Sequence, residues 1–500
     1  MRQLLAILAG ADTAREYDTP LSWKETAIFL SVVLGVMLLA FYLHLEYPLL
    51  LAVTAVLGAL LVMQNPVVWI SLSILLLVPV FWQLEKGLTP QEVVHAVLYY
   101  GGLLWWLFHR VVIARKPLHW SLPGILSVAL LLQMLLLAPV SFGYGAEPYV
   151  WLREMAVLSS VLMFIPIAHE CDTRTKQYIV GAVLLLTLAI LATKNIFLYK
   201  QRVVAAVWMW QVGASRASDT FYLVFSLAVL GMVPLLAARR KLMVLFWAGI
   251  LVVGITSTVL SFYRTIWVTA LASYALMFMM LGRDIRRRML KYAAVVALLV
   301  VAAYPLFLED VISVDVLWRS ISSRFISIGD YRIDVSVENR HAEARAILGD
   351  IGGHWFLGKG MSVPAHFTKL TSMTTIEPTW THNGFAWALR HFGIVGIFLL
   401  FTAWLLFAWR AFRLTRWFRD APGYDPDERL RLRLFAGAAV AVILSTFLIS
   451  LTINQFFGQE AGYVLAVLFG FIDLWWREKK TAEEAGVALP AQAGERSGDE

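Results

Sequence analysis

The chain has little cysteine and little charge. Of its 500 residues one is a cysteine, Cys171, and 15% are charged. A single cysteine excludes an intramolecular disulfide framework, and we interpret Cys171 as a small packing residue. Soluble domains are about 25% charged and 45–50% apolar, whereas 60% of this chain is hydrophobic. The composition therefore predicts an integral membrane protein whose first partner is the lipid bilayer.

Two kinds of motif are also absent. The sequence has no GxxxxGK[ST] loop, so nothing indicates an ATP-driven pump. Five histidines lie between His341 and His391, but their spacings of 13, 12, 16 and 9 fit neither an i, i+4 pair nor an HExxH motif. We therefore expect no catalytic metal and no cofactor.

The formal net charge of +8 does not indicate a nucleic-acid partner. The basic residues cluster in short stretches between apolar segments, as the positive-inside rule predicts for cytoplasmic loops. These stretches lie near residues 110–116, 174–176, 239–241, 283–291, 410–433 and 479–480. Their alternation with uncharged loops predicts that both termini are cytoplasmic and that a long loop at 310–383 faces outward. A loop at 199–218 should also face outward but is basic, so it either packs on the protein or binds an anion.

The apolar segments predict an all-α polytopic membrane protein. A spanning helix needs about 20 mostly apolar residues, and we find fourteen candidates, with twelve or thirteen as alternatives. They lie at residues 26–45, 48–64, 66–84, 92–113, 120–139, 149–168, 178–198, 219–237, 241–260, 264–281, 292–308, 384–409, 434–453 and 459–476. The predicted domains are membrane helices in 1–309, the outward loop with short helices at 310–383, C-terminal membrane helices in 384–476 and a disordered cytoplasmic tail at 477–500.

The outward loop contains a predicted helix over residues 337–350. Ser336 is a plausible N-cap, Glu338 suits the first turn and glycines follow the end. Arg340, Ala344 and Ile347 share one mildly apolar face, so Arg340 should point toward the protein. It then either pairs within the helix with Glu343 or is positioned for an anionic ligand.

His382 follows this loop, immediately before the predicted helix at 384. Thr381 or Asn383 can cap that helix. The positive end of the helix dipole disfavours the imidazolium form, so a neutral ring can accept a proton as a general base. The alternative is an ordinary interfacial or capping histidine.

Arg264 stands where two apolar runs meet on the outward side. An arginine at the membrane is unfavourable, by about 2.5–3.5 kcal/mol at a helix centre on insertion scales, and is a functional candidate by default. The alternative is a side chain that snorkels to the interface. Arg216, on the basic outward loop, is an additional candidate anion contact.

Three motifs together resemble the bacterial O-antigen ligase and O-antigen polymerase superfamily. The first is His382-Asn383, followed by Gly393 and Gly396. The second is Ser261-Phe-Tyr-Arg264, similar to a Ser-x-x-Arg segment. The third is Asp334-x-Ser336-x-x-x-Arg340, followed by a Gly358-Lys-Gly360 turn.

This resemblance implies a metal-independent, inverting glycosyltransferase with a GT-C-like fold in the bacterial inner membrane. It implies an undecaprenyl-diphosphate-linked glycan as donor and an acceptor such as lipid A-core, another glycan or a protein hydroxyl, at a periplasmic site. His382 is then the catalytic base. Arg264 and Arg340, with Arg216 as a third, hold the diphosphate, and Asn383 and Gly393 support the site.

Three functions remain open from the sequence. The first is an O-antigen-ligase-like transfer of a finished glycan, which we favour. The second is a polymerase that extends lipid-linked repeats. The third is a polysaccharide transporter, which would more often place its polar groups on broken helices at mid-membrane.

Overall fold

The structure is a computed structural model that describes residues 47–82, 89–204, 220–307, 314–329, 335–368, 374–376, 381–421, 423–456 and 458–484. This part of the chain is mainly helical. It forms two compact units, Met1–Leu118 and His119–Glu500. The described parts of the 310–383 segment and of the C-terminal helices belong to the second unit.

The first unit contains helices α1 (Tyr47–Gln64), α2 (Pro66–Val80) and α3 (Pro90–Ile113). Helix α3 includes two π-helical turns, Val97–Gly101 and His109–Ile113. The indole of Trp69 is buried against α3 and donates a 2.8 Å hydrogen bond to the Leu98 carbonyl. A single donor from α2 thus pairs with a carbonyl in the first of these wide turns.

The second unit contains thirteen described helices and one hairpin. The helices are α4 (Leu122–Leu136), α5 (Ala138–Gly143), α6 (Pro148–Glu170), α7 (Arg174–Val204), α8 (Phe221–Ala237), α9 (Lys241–Leu260), α10 (Arg264–Met280), α11 (Arg283–Phe307), α12 (Val314–Gly329), α13 (Val335–Asp350), α14 (Gly384–Trp417), α15 (Pro426–Ser450) and α16 (Gln459–Glu484). Strands β1 (Phe367–Thr368) and β2 (Thr375–Ile376) pair antiparallel.

Helices α8, α14, α15 and α16 form the centre of this unit. All ten residues of Phe221–Leu230 in α8 are buried, as expected for a helix that is apolar on every side. Helix α14 packs against α4, α15 and α16, and α10 packs against α15. These contacts fix the ends of α10, α14 and α15, which carry the candidate site.

Six described helices are long and apolar enough to cross a membrane, as expected of a multi-pass membrane protein. They are Pro90–Ile113, Pro148–Glu170, Arg174–Val204, Lys241–Leu260, Gly384–Trp417 and Pro426–Ser450. Five further apolar helices are shorter: Val53–Val62, Pro66–Val80, Leu122–Leu136, Phe221–Ala237 and Arg264–Met280. Each predicted span from 48–64 onward overlaps a helix, and the first, 26–45, lies outside the described residues.

Several basic stretches that the sequence treats as loops are helical. Helix α11 begins at Arg283, α14 continues past Arg410 and α15 includes Arg433. Arginine favours helices, and its long side chain can reach the interface from a helix end. The predicted tail likewise begins too early, because α16 continues to Glu484; residues 485–500 lie outside the described residues.

The segment 310–383 contains the predicted short helices, α12 and α13. Helix α13 (Val335–Asp350) matches the predicted segment 337–350. Its N-cap assignment was wrong, because Ser336 is the second residue of the helix. Asp334 of the motif lies outside the described residues.

Candidate functional site

One apolar face of helix α13 packs against the start of α14. Ile347 is fully buried and packs with Ala365 and Ala386, and Ala344 lies against this cluster. Arg340 is half-buried one turn earlier on the same face. The sequence prediction that this face contacts the protein is confirmed.

Glu343 binds His382, across 39 residues of sequence. The Glu343 side chain is 4% exposed, and its carboxylate lies 2.9 Å from Nδ1 of the His382 ring. The other carboxylate oxygen accepts a 3.3 Å hydrogen bond from the His382 backbone N–H. When the ring donates Nδ1–H to this carboxylate, its lone pair lies on Nε2. The His382 side chain is 47% exposed, so a ligand can approach a ring oriented to accept a proton.

Asn383 fixes the backbone beside this histidine. Its side-chain oxygen accepts hydrogen bonds from the backbone N–H groups of Phe385, at 3.0 Å, and Ala386, at 2.9 Å. Asn383 is therefore the N-cap of α14, one of the two caps predicted, and two N–H groups of the first turn are satisfied. His382 accordingly lies at the positive end of a helix.

Because Gly384 has no side chain, the start of α14 packs closely against the end of α15 and the segment that follows it. A Cβ at Gly384 would lie 2.9 Å from the side-chain oxygen of Asn454 and 3.0 Å from Cβ of Ser450. Asn454 is fully buried, and neither its side-chain oxygen nor its nitrogen has a hydrogen-bond partner among the described residues. A buried polar group without a partner costs about 1–3 kcal/mol. Asn454 is thus a buried polar group, unsatisfied by the part of the chain that the structure describes, that lies against Gly384, the first residue of α14.

Arg264 is the first residue of α10 and follows a backbone segment in an uncommon conformation. Phe262 has a φ of 52°, in the left-handed region, which is unfavourable for a bulky residue by about 1–3 kcal/mol. Its ring is buried in a cluster with Tyr199 and Trp267. The Trp267 indole donates a 3.0 Å hydrogen bond to the Thr258 carbonyl. This packing holds the turn, and Arg264 is half-buried where the turn ends.

The turn also contacts the chain beyond α15. The hydroxyl groups of Thr265 and Thr452 are 2.6 Å apart, and Thr452 lies two residues before Asn454. Asn454 in turn lies against Gly384. The structure therefore joins the elements that carry His382, Arg340 and Arg264 around the C-terminal end of α15. Arg216, the remaining predicted site residue, lies outside the described residues.

Gly393 breaks helix α14. Its φ of 63° and ψ of −170° are not helical, and a Cβ there would lie 2.4 Å from the Phe356 carbonyl oxygen. The broken helix leaves backbone groups without helical partners, and the loop at 354–360 supplies them. Ile394 N–H donates to Trp355 at 2.9 Å, and Gly360 N–H donates to His391 at 3.0 Å.

Further groups at the break are also satisfied. Lys359 N–H donates to the Arg390 carbonyl at 2.8 Å, and the Gln133 side chain donates to the Phe392 carbonyl at 2.8 Å. Gly358 has a φ of +82° and lies against the backbone of His391. The Gly358-Lys-Gly360 turn is therefore held by backbone hydrogen bonds to the break in α14.

A buried arginine attaches the end of α13 to the same region. Arg390 is 1% exposed and lies 2.7 Å from the Asp350 carboxylate. It also donates to the carbonyls of Val363, at 2.6 Å, and Pro364, at 2.7 Å. Lys359 binds the other Asp350 oxygen at 3.0 Å. This network holds the end of α13 against α14 and so maintains the register between Glu343 and His382.

We expect Asp350→Asn to destabilise the protein by roughly 2–3 kcal/mol. Removing one partner of a fully buried pair costs about 3–5 kcal/mol, and Asp350 is 36% exposed. Burial raises the pKa of Asp350, but the hydrogen bonds and charges of Lys359 and Arg390 outweigh burial, so its pKa lies below the ordinary 3.8. The stabilisation is complete above that ordinary value and is lost as pH falls through the lower folded-state pKa.

Thermal unfolding in detergent at pH 7 and at pH 3 measures this difference. The midpoint difference between wild type and Asp350→Asn should be several degrees at pH 7 and smaller at pH 3. Asp315→Asn is the matched control, because Asp315 is 74% exposed and pairs with Arg319 on its own helix. An equal effect of both substitutions would contradict the role of Asp350.

Two residues at this site, Glu343 and Asn454, were not predicted from the sequence. Glu343 was considered as a partner of Arg340 at i+3, but its His382 contact depends on how α13 docks. Asn454 lies between the last two predicted spans, in a segment without Lys or Arg. The sequence feature that could have indicated Asn454 is the polar pair Asn454-Gln455 between two apolar segments.

The described residues contain no group of three or more His, Cys, Asp or Glu side chains that could hold a metal ion. Neither protein-family models nor curated proteins match this chain. The resemblance to the O-antigen ligase and O-antigen polymerase superfamily therefore depends on the sequence motifs alone.

Proposed function

We propose that the protein is an O-antigen-ligase-like, inverting and metal-independent glycosyltransferase. It moves a glycan from undecaprenyl diphosphate to an acceptor hydroxyl, on lipid A-core or a similar acceptor, at the periplasmic face of the bacterial inner membrane. The observation that carries the proposal is the pairing of exposed His382 with buried Glu343, with Arg340 one helical turn away.

The pairing of His382 with Glu343 supports a role for His382 as the general base. The acceptor hydroxyl approaches Nε2 of His382 and gives it a proton as the hydroxyl oxygen bonds to the anomeric carbon. The bond from that carbon to the diphosphate oxygen breaks on the opposite face, so the configuration inverts. Glu343 compensates the positive charge that develops on the imidazole and keeps the ring oriented.

The positive charges of Arg340 and Arg264 support a site for a diphosphate leaving group. Undecaprenyl diphosphate departs with the bonding electron pair, and the negative charge on its phosphate oxygens needs a fixed positive partner. Arginine fits this role because its planar guanidinium binds two phosphate oxygens at once and stays charged when partly desolvated. Arg340 lies beside Glu343 on α13, and Arg264 approaches from the start of α10; Arg216 is retained in the proposal as a third contact.

Reconstitution tests the function directly. The purified protein is placed in liposomes with an undecaprenyl-diphosphate oligosaccharide, with or without lipid A-core, and the glycan products are sized on a gel. We expect one product, formed only when lipid A-core is present and insensitive to EDTA. A ladder from donor alone would replace the ligase with a polymerase, and absence of product under both conditions would contradict the proposal.

Glu343→Gln should lower kcat roughly 10–100-fold, part of the 10²–10⁴ that a general base supplies. The amide lacks the charge that stabilises the protonated ring, whereas donor binding should be unaffected. Initial rates at several donor concentrations separate kcat from KM, and Glu343→Asp should recover part of the rate.

The matched control for this substitution is Glu338→Gln, because Glu338 is exposed on the same helix. A purely structural role for Glu343 would lower the thermal midpoint and leave the kcat of the folded fraction unchanged. That result would remove Glu343 from the mechanism.

A further inference from the structure

A large cavity lies at the end of the second unit opposite the candidate site. Its volume is about 760 Å³, within the about 300–1,000 Å³ typical of small-molecule sites. Helices α7, α8, α9, α15 and α16 form its walls. Asp427, in the first turn of α15, lies at this cavity, whereas Ser450, at the other end of α15, contacts Gly384. The 25 residues of α15 place the two sites about 37 Å apart.

The interior of the cavity is apolar and aromatic. Leu184, Val233, Phe435 and Phe471 are among the residues that line it. The polar side chain of Gln177, at the inner wall, is already satisfied: it accepts from the Trp475 indole at 2.9 Å and donates to the Cys171 carbonyl at 3.0 Å. The interior therefore suits hydrocarbon better than a sugar or a nucleotide.

The mouth of the cavity is positively charged. Three arginines and one aspartate line it, and Arg239 pairs with that aspartate, Asp427. Arg431 lies over the Tyr178 ring at 5.7 Å. Neither Arg240 nor Arg431 has an ion pair within the part of the chain that the structure describes. Two guanidinium groups without an ion pair among the described residues thus lie beside an apolar chamber.

We propose that this cavity binds an anionic glycerophospholipid. The acyl chains occupy the chamber, and the phosphate and its anionic headgroup lie between Arg240 and Arg431. Inorganic phosphate would leave the apolar walls exposed to water, which is unfavourable. A phosphatidylcholine would bring a quaternary ammonium beside two arginines, so a net negative headgroup is favoured.

Native mass spectrometry of the delipidated full-length protein in detergent tests this site. Phosphatidylglycerol and phosphatidylcholine with identical acyl chains are added in turn, and retained lipid is counted. We expect one phosphatidylglycerol retained, with an affinity at least tenfold above that of phosphatidylcholine. Because this measurement does not use transferase activity, its result is independent of the proposed enzyme function.

Two variants separate the charged mouth from the apolar chamber. Arg240→Gln with Arg431→Gln should weaken phosphatidylglycerol binding roughly 30-fold, since each arginine near an anionic lipid contributes about a fivefold factor. Gly181→Phe should fill the chamber and abolish retention of both lipids. A Cβ at Gly181 meets only Phe471, at 3.9 Å, so the position tolerates a side chain.

The matched control is Arg287→Gln with Arg288→Gln, which removes the same charge from exposed positions on α11. Equal loss of binding in this control and in the Arg240/Arg431 variant would overturn the proposal. Equal affinity for the two lipids, or no lipid retained by the wild type, would overturn it as well.

Discussion

Replacing His382 by alanine is expected to reduce glycan transfer by about 10²–10⁴-fold, which should abolish detectable product. This is the usual contribution of a general base, and the acceptor hydroxyl is a weak nucleophile while it keeps its proton. His382→Gln should be equally impaired, because an amide can donate and accept hydrogen bonds but cannot take up the proton. The measurement is the initial rate in liposomes at equal protein level.

His341→Ala is the control for His382. His341 lies on α13 next to Arg340 and is exposed, so its loss removes a nearby imidazole without disturbing the pair with Glu343. We expect near wild-type transfer from this control. Near wild-type turnover of His382→Ala at equal protein level would show that His382 is not the base.

Replacing Arg340 by alanine should reduce transfer by about 10²–10³-fold, the typical effect of losing one electrostatic stabiliser of a transition state. The loss should appear mainly in kcat, since the charge on the diphosphate oxygens increases as the glycosidic bond breaks. Arg340→Lys should restore only part of the rate, because a lysine keeps the charge but cannot bind two oxygens in a planar fork.

Arg345→Ala is the matched control, because Arg345 is exposed on the same helix and donates to the His341 carbonyl. Its removal takes away one guanidinium near the site without changing the face that meets α14. Equal losses for Arg340→Ala and Arg345→Ala would indicate a general charge effect and would contradict a specific diphosphate contact.

The positions of the helices were largely predictable from the sequence, whereas their ends were not. Apolar length identifies a helical segment, and each predicted span within the described residues overlaps a helix. Charge does not identify where a helix ends, because arginines extend α11 and α14 beyond the apolar core. The short helix α13 was located by its glycine-rich end, yet Ser336 proved to be inside it.

Some site residues could be predicted from the sequence, whereas others could not. Arg340 could be placed on the protein-facing side from helical periodicity alone, and Asn383 could be proposed as a cap from its residue type. Glu343 could not be assigned to His382, since the two residues meet only when α13 docks on α14. Gly393 was recognised as part of a motif, but the helix break there depends on backbone hydrogen bonds from a loop more than thirty residues earlier.

The break at Gly393 has a consequence for how the protein is made. A helix with unpaired N–H and carbonyl groups is a poor substrate for membrane insertion, because each such group in hydrocarbon costs several kcal/mol. The partners of those groups at 354–360 precede most of α14 in the chain by more than thirty residues and are therefore synthesised first. A chain that lacks residues 354–360 is therefore expected to insert α14 inefficiently even though every residue of the helix is present.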